Sequence, residues 1–175
     1  MTLDATRKIT HHIHGWLTDR EGEFLYNTAR ACTGRGVIVE IGSWKGKSTV
    51  WLAAGSRAGM AVSVYAVDHH QGSPEHYAWH GSSPIRTFDE FQKNIANAGV
   101  EDIVIPVVKT SLDAARTFNK SIELLFIDGD HAYESVKRDF ELWFPKVIDG
   151  GMIIVHDTGG WAPWPGPILV VRQYI

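Results

Sequence analysis

Cysteine is nearly absent from this chain: Cys32 is the single one among 175 residues. That excludes a disulfide framework and any CxxC metal site. Long apolar runs are absent as well. No stretch approaches the roughly 20 residues that a membrane helix needs. The opening residues, MTLDATRKITHHIHG, lack the apolar segment of a signal peptide. The expectation is a cytoplasmic protein with no membrane partner. Blocks of lysine and arginine are also missing, and the formal net charge is −3. Phosphate backbones call for concentrated positive charge, so nucleic acid is not an expected partner. Internal repeats and low-complexity tracts are lacking. What remains, with 44% hydrophobic and 21% charged residues, is ordinary for one globular domain with a sizeable core.

The rest of the sequence is organised around VIVEIGSWKGKST, residues 37–49, read together with Asp68. Val37-Ile38-Val39 suits a strand buried on both faces. Glu40 ends the apolar run, Gly42 and Gly46 open a tight turn, and Lys47-Ser48-Thr49 begins a helical pattern. Strand, glycine turn and helix form the front of a nucleotide-binding βαβ unit. A dinucleotide site wants glycine where Trp44 stands, so that backbone can approach a pyrophosphate. A P-loop wants one more residue between Gly42 and Gly46. An adenosyl ligand without phosphates needs neither. It needs an open turn for its amino-acid part, here Glu40, Gly42, Ser43, Trp44, Gly46 and Ser48. It also needs a carboxylate for the ribose diol, and Asp68 ends the next strand.

Periodicity fills in the remainder. Residues 1–17 read as a flexible arm in which His11, His12 and His14 are solvated, and residues 18–175 as one domain. Thr18 with Glu21 makes a capping box for a helix over 19–33. Strands are expected over Ala61–Asp68, Ile103–Val108, Ile122–Ile127 and Met152–Val155, with helices over 85–98, 112–118 and after His131, and a last helix from Pro167. Ser111 is read as the N-cap of the helix over 112–118. Asp149-Gly150-Gly151 is read as a turn. Residues 69–84, with His69, His70, His76 and His80, form a long loop read as a lid. The expected fold is α/β: a doubly wound, mostly parallel sheet with helices on both faces, in three layers. Every strand then ends in a polar candidate: Glu40, Asp68, Thr110 with Ser111, Asp128 and Asp157. In such a sheet these ends converge on one edge.

The turn, together with FIDGDHAYESVKRDFELWFPKVIDGGMIIVHDT at residues 126–158, resembles the class I S-adenosylmethionine (SAM)-dependent methyltransferases, in particular the bacterial small-molecule and sugar O-methyltransferase group. The resemblance implies a Rossmann-like fold and SAM as cofactor. It places Thr110 and Ser111 beside the adenine with His69 near by, and Asp128 next to the cofactor. It also implies a small-molecule hydroxyl acceptor, sugar-containing or otherwise flat, met by Tyr77, Trp79, Trp161 and Trp164; those aromatics equally suit a homodimer interface. Catechol-type members place metal-binding acids at the positions of Asp128 and Asp157, which implies Mg2+ or another divalent ion, with Asp130 or His156 as third ligand where the group carries an amide at Thr158. His131 is the first choice of general base, with Asp128 beside it, and His156 the second. The group ordinarily adds an antiparallel hairpin after the last helix. These 175 residues end without it, so those strands are expected to be missing, through truncation or with the sheet edge completed by other means. Two other readings stay open: a P-loop nucleotide-binding protein using Lys47, and a non-catalytic SAM-binding module.

Overall fold

The computed structural model describes residues 1–80, 83–159 and 164–174, with residues 79 and 80 as backbone. Trp161 and the side chains of Trp79 and His80 lie outside the described residues. Five strands form one all-parallel sheet: β1 (Val37–Ile41), β2 (Val64–Val67), β3 (Val104–Val107), β4 (Ile122–Ile127) and β5 (Val147–Val155). Their order is β3-β2-β1-β4-β5. The chain winds outward from β1 through β2 to β3, then crosses back to place β4 on the other flank of β1. The carboxyl ends of β1 and β4 therefore flank the point where winding reverses, the place where ligands settle in open α/β sheets.

Alternate residues of β1 explain the layers. Ile38 faces a core built with helices α2 (Asp19–Ala31), α3 (Lys47–Ala58) and α5 (Phe88–Ala98). Val39 and Ile41 face a second core built with α6 (Ser111–Thr117), α7 (Tyr133–Trp143) and a C-terminal helix, Gly166–Tyr174. Both faces are covered, which is what an apolar strand with no polar alternation requires. The first core depends on close approach. A Cβ on Gly55 would lie 2.1 Å from the Tyr26 carbonyl oxygen, and one on Gly22 would lie 2.2 Å from Trp51 Nε1. Trp51 is fully buried where these helices meet.

Four expectations are corrected. The arm over residues 1–17 is a packed helix, α1 (Leu3–Thr10), followed by a segment whose Ile13 and Leu17 join the first core. Thr6 and Thr10 are buried because each hydroxyl donates to a backbone carbonyl one turn back, Thr2 O at 2.9 Å and Thr6 O at 3.0 Å. The lid over 69–84 contains a helix, α4 (Pro74–His80). The Asp149-Gly150-Gly151 turn is a bulge inside β5, with Gly150 at φ 73° and a register shift opposite Ile122/Leu124. The N-cap of α6 is Thr110, not Ser111: its Oγ1 accepts from Asp113 N at 3.2 Å.

Candidate active site

The strand ends are stitched side by side. Gly42 N donates to Val67 O (2.9 Å), Asp128 N to Ile41 O (2.9 Å) and His156 N to Ile127 O (3.0 Å). This continuation of the ladders fixes the residues that follow each strand at one edge. Gly42 has φ 85°, and a Cβ there would lie 2.2 Å from Asp128 O. No other residue fits where β1 turns out beside β4. Trp44 also adopts positive φ, 46°, and Asp68 holds it there: one carboxylate oxygen accepts from Ser43 N at 3.0 Å and Trp44 N at 2.8 Å. The other oxygen accepts from His70 N at 2.6 Å.

Around this turn lies a cavity of about 360 Å³ whose wall includes Gly42, Trp44, Asp68, His69, Thr110, Ser111 and Asp128. These are seven of the residues expected to hold the cofactor. Ser43 and Ser48 line the adjoining cavity instead. Glu40 and Gly46 line neither. Glu40 is fully buried beneath the turn, where Thr49 Oγ1 donates to it at 2.5 Å. Burial, its largest influence, pushes its carboxyl up to about 8, against the hydroxyls of Ser48 and Thr49. Gly46 is the left-handed N-cap of α3 and packs on Phe91 and Ile95. Lys47 Nζ donates to Gly15 O at 3.3 Å, so it ties down the N-terminal segment.

The second cavity, about 280 Å³, shares Gly42, Trp44, His76, Asp128 and Gly129 with the first. At its base sits a cluster of two carboxylates and two imidazoles. His131 Nε2 is 2.8 Å from Asp157 Oδ2 and 4.0 Å from Asp128 Oδ1. His156 Nδ1 is 3.1 Å from an oxygen of each aspartate. Burial disfavours both imidazolium ions, but contact with the carboxylates wins. His131 is raised to about 9 by Asp157 and Glu75, and His156 to about 11 by Asp128 and Asp157. The contacts from His131 and His156 hold Asp157 below the usual carboxylate range, while burial raises Asp128. Asp157 occupies a positive φ of 54°, in the left-handed region that aspartate enters more readily than most side chains.

Ligand atoms of Asp128, His131 and Asp157 all lie within 4.8 Å of one another. Two hard oxygens and one imidazole form a donor set that a divalent cation can use. Asp130 does not join them. Its oxygens accept from Ala132 N (3.1 Å) and Ser135 Oγ (2.7 Å), which pins the start of α7. Its place in the set is taken by His131.

Two acids at the site escaped the sequence reading. Glu75, on α4, accepts or shares a proton with His131 Nδ1 at 2.6 Å. Glu21, the capping-box residue of α2, reaches His156 Nε2 at 3.4 Å. The N-terminal segment was missed as well: His14, Gly15, Trp16 and Leu17 line the second cavity. Trp16 lies 5.9 Å from the Trp44 ring, and His76 stacks on Trp44 at 4.2 Å. Trp164 stacks on His131 at 6.3 Å.

With this geometry established, comparison with known proteins defines the class. The chain belongs to the methyltransferase domain family, whose model matches residues 39–158. It is 31% identical over 140 residues to catechol O-methyltransferase of Mycobacterium tuberculosis, across 79% of this chain and 54% of that protein. It is 30% identical over 135 residues to the uncharacterized protein y4gI of Sinorhizobium fredii, across 73% of this chain and 14% of that protein. The chain thus spans about half or less of the length of these relatives. Among solved structures, the O-methyltransferase NovP superposes with a TM-score of 0.77 at 23% identity, covering 92% of this chain and 73% of that one. The O-methyltransferase from Bacillus cereus in complex with S-adenosylhomocysteine (SAH) superposes at 0.67 and 19% identity, covering 98% and 77%. These likenesses establish the fold.

Proposed function

We propose that this chain is a SAM-dependent O-methyltransferase acting on a ring-bearing small-molecule hydroxyl, sugar or catechol. The observation that carries the reading is the pair of adjoining cavities that share the Gly42/Trp44/Asp128/Gly129 wall. One has the open turn and ribose carboxylate of an adenosyl site. The other has titratable groups at its base and aromatic walls.

SAM, when bound, would supply a sulfonium methyl group for the acceptor oxygen. Asp68 orients the ribose while holding the turn, and Ser43 Oγ, buried without a hydrogen-bond partner among the described residues, faces the amino-acid part. Trp16, Trp44 and His76 hold the acceptor ring and exclude water. Asp128, Asp157 and the Nε2 of His131 would hold a divalent cation. Such an ion supplies Lewis acidity, which lowers the pKa of a hydroxyl beside it. His156 holds its proton between the two carboxylates and keeps them together. A second use of His131 is supported by its short contact with Glu75, which fixes Nδ1; Nε2 takes the acceptor's proton once the proton it shares with Asp157 has left.

The test is calorimetric titration with SAH, followed by methyl transfer to a panel of catechols and sugars with and without a chelator. SAH binding with turnover that chelation abolishes supports the metal-assisted reading. Turnover that chelation leaves intact assigns His131 as proton acceptor. Failure to bind SAH, with binding of ATP in its place, overturns the proposal and returns the argument to Lys47. Tight SAH binding with no turnover of any acceptor favours a non-catalytic module.

A further inference from the structure

The wall of the larger cavity holds a carboxylate that none of these steps uses. Asp139, on α7, lines the cavity together with Ser111, Leu112 and Arg138, yet only 6% of its surface is exposed. Trp143, one turn further along α7 and fully buried, donates its Nε1–H to Ser111 Oγ at 2.8 Å. Ser111 can then turn its own hydrogen toward the Asp139 carboxylate. That bond and the Arg138 charge partly offset burial, which pushes the Asp139 carboxyl up to about 6. One hydroxyl leaves a carboxylate with most of its acceptor capacity unused. Oδ2 faces the Gly129 turn, where a Cβ would come within 3.5 Å of it. Asp130 lines the same cavity, where its oxygens accept from Ala132 N and Ser135 Oγ and pin the start of α7.

We infer that Asp139 is a specificity-determining residue that reads the nucleobase of the cofactor, accepting a hydrogen bond from the exocyclic amino group of a 6-aminopurine. The inference rests on the adenosyl reading of the larger cavity. Asp68, Thr110, Ser111 and Asp139 line one cavity, so a ribose held at Asp68 and a base passing Thr110 and Ser111 bring the base to the wall that carries Asp139. A carboxylate offers acceptors only, so it complements an amino group and repels the carbonyl oxygen of a 6-oxopurine. The Trp143–Ser111 contact makes Asp139 rigid, and rigidity is what turns an acceptor into a selector.

The experiment compares calorimetric affinities for SAH and for S-inosylhomocysteine, which carries a 6-oxo group, in the wild-type chain and in Asp139→Asn. The expected wild-type preference for SAH is at least about 30-fold, falling below about 3-fold in the variant, because an amide can also donate to the 6-oxo oxygen. Melting curves verify folding; if D139N does not fold, Asp139→Ser, which fits the same space, is read for the same ratio. A wild-type preference near unity, or one unchanged by substitution while SAH still binds, overturns this inference alone. Failure of the wild-type chain to bind SAH overturns the adenosyl reading and this inference with it.

Discussion

Asp68 holds the glycine turn before any ligand arrives, through the backbone N–H groups of Ser43 and Trp44. Asp68→Ala removes that anchor together with the proposed ribose acceptor. Loss of two charge-assisted bonds predicts a fall in SAH affinity of about 100-fold, measurable by calorimetry. Glu40 gives a pH prediction. Its carboxyl is raised to about 8 in the folded chain, chiefly by burial, from about 4.3 when unfolded. The folded state therefore keeps the proton longer. The associated stability is complete below about pH 4.3 and is lost as pH rises through about 8. Glu40→Gln abolishes that loss, so urea denaturation above about pH 8 should show the variant more stable by roughly 3–5 kcal/mol. An equal drop in stability at every pH would sink the idea. Single residues were legible where a strand hands over to a polar edge: Asp68 and Asp128 follow their apolar runs directly and Asp157 one residue later, and all three line the cavities. Glu75 and Asp139 were not legible, because what makes them notable is long-range approach. Glu75 meets His131 across 56 positions of chain, and nothing in the local pattern of either announces it.

Among elements, α2 and α3 set the first core, and their contact leaves no room for a methyl group. Gly55→Ala drives a Cβ against the Tyr26 carbonyl, so a loss of roughly 2–4 kcal/mol is expected in chemical denaturation. The N-terminal segment gives a functional counterpart. Trp16 lines the second cavity and not the first, so Trp16→Ala should raise KM for the acceptor several-fold while leaving SAH affinity within about 2-fold. An equal effect on both ligands would merge the two cavities into one site. The strands and most helices were readable from apolar runs and 3.6-residue spacing. The first helix was not: its inward face carries Thr6 and Thr10, whose hydroxyls are satisfied inside the helix, and a hydropathy pattern does not register such residues as core. β5 was shortened in the reading because Gly150 and Gly151 mark a bulge and a turn equally well.

For the molecule as a whole, ligand and fold are linked. If the larger cavity binds SAH only when the strand ends are assembled, SAH at about 100 times its Kd adds about 2.7 kcal/mol. In a domain of this size the melting temperature should rise by roughly 5–10 °C. The Asp68→Ala chain should show no such rise over the same SAH range. A doubly wound, mostly parallel sheet followed from the alternation of apolar strands with helices, whereas the strand order that puts the switch point between β1 and β4 came from the structure, and the pairing of two cavities depended on the packing of a segment whose sequence is polar. That segment has a history of its own. Residues 14–17 leave the ribosome before any strand exists, yet the Asp128, His131 and His156 they enclose come from the last third of the chain. The wall therefore precedes every strand in the sequence while the groups it encloses follow most of them, so the second cavity closes only once β4 and β5 have docked.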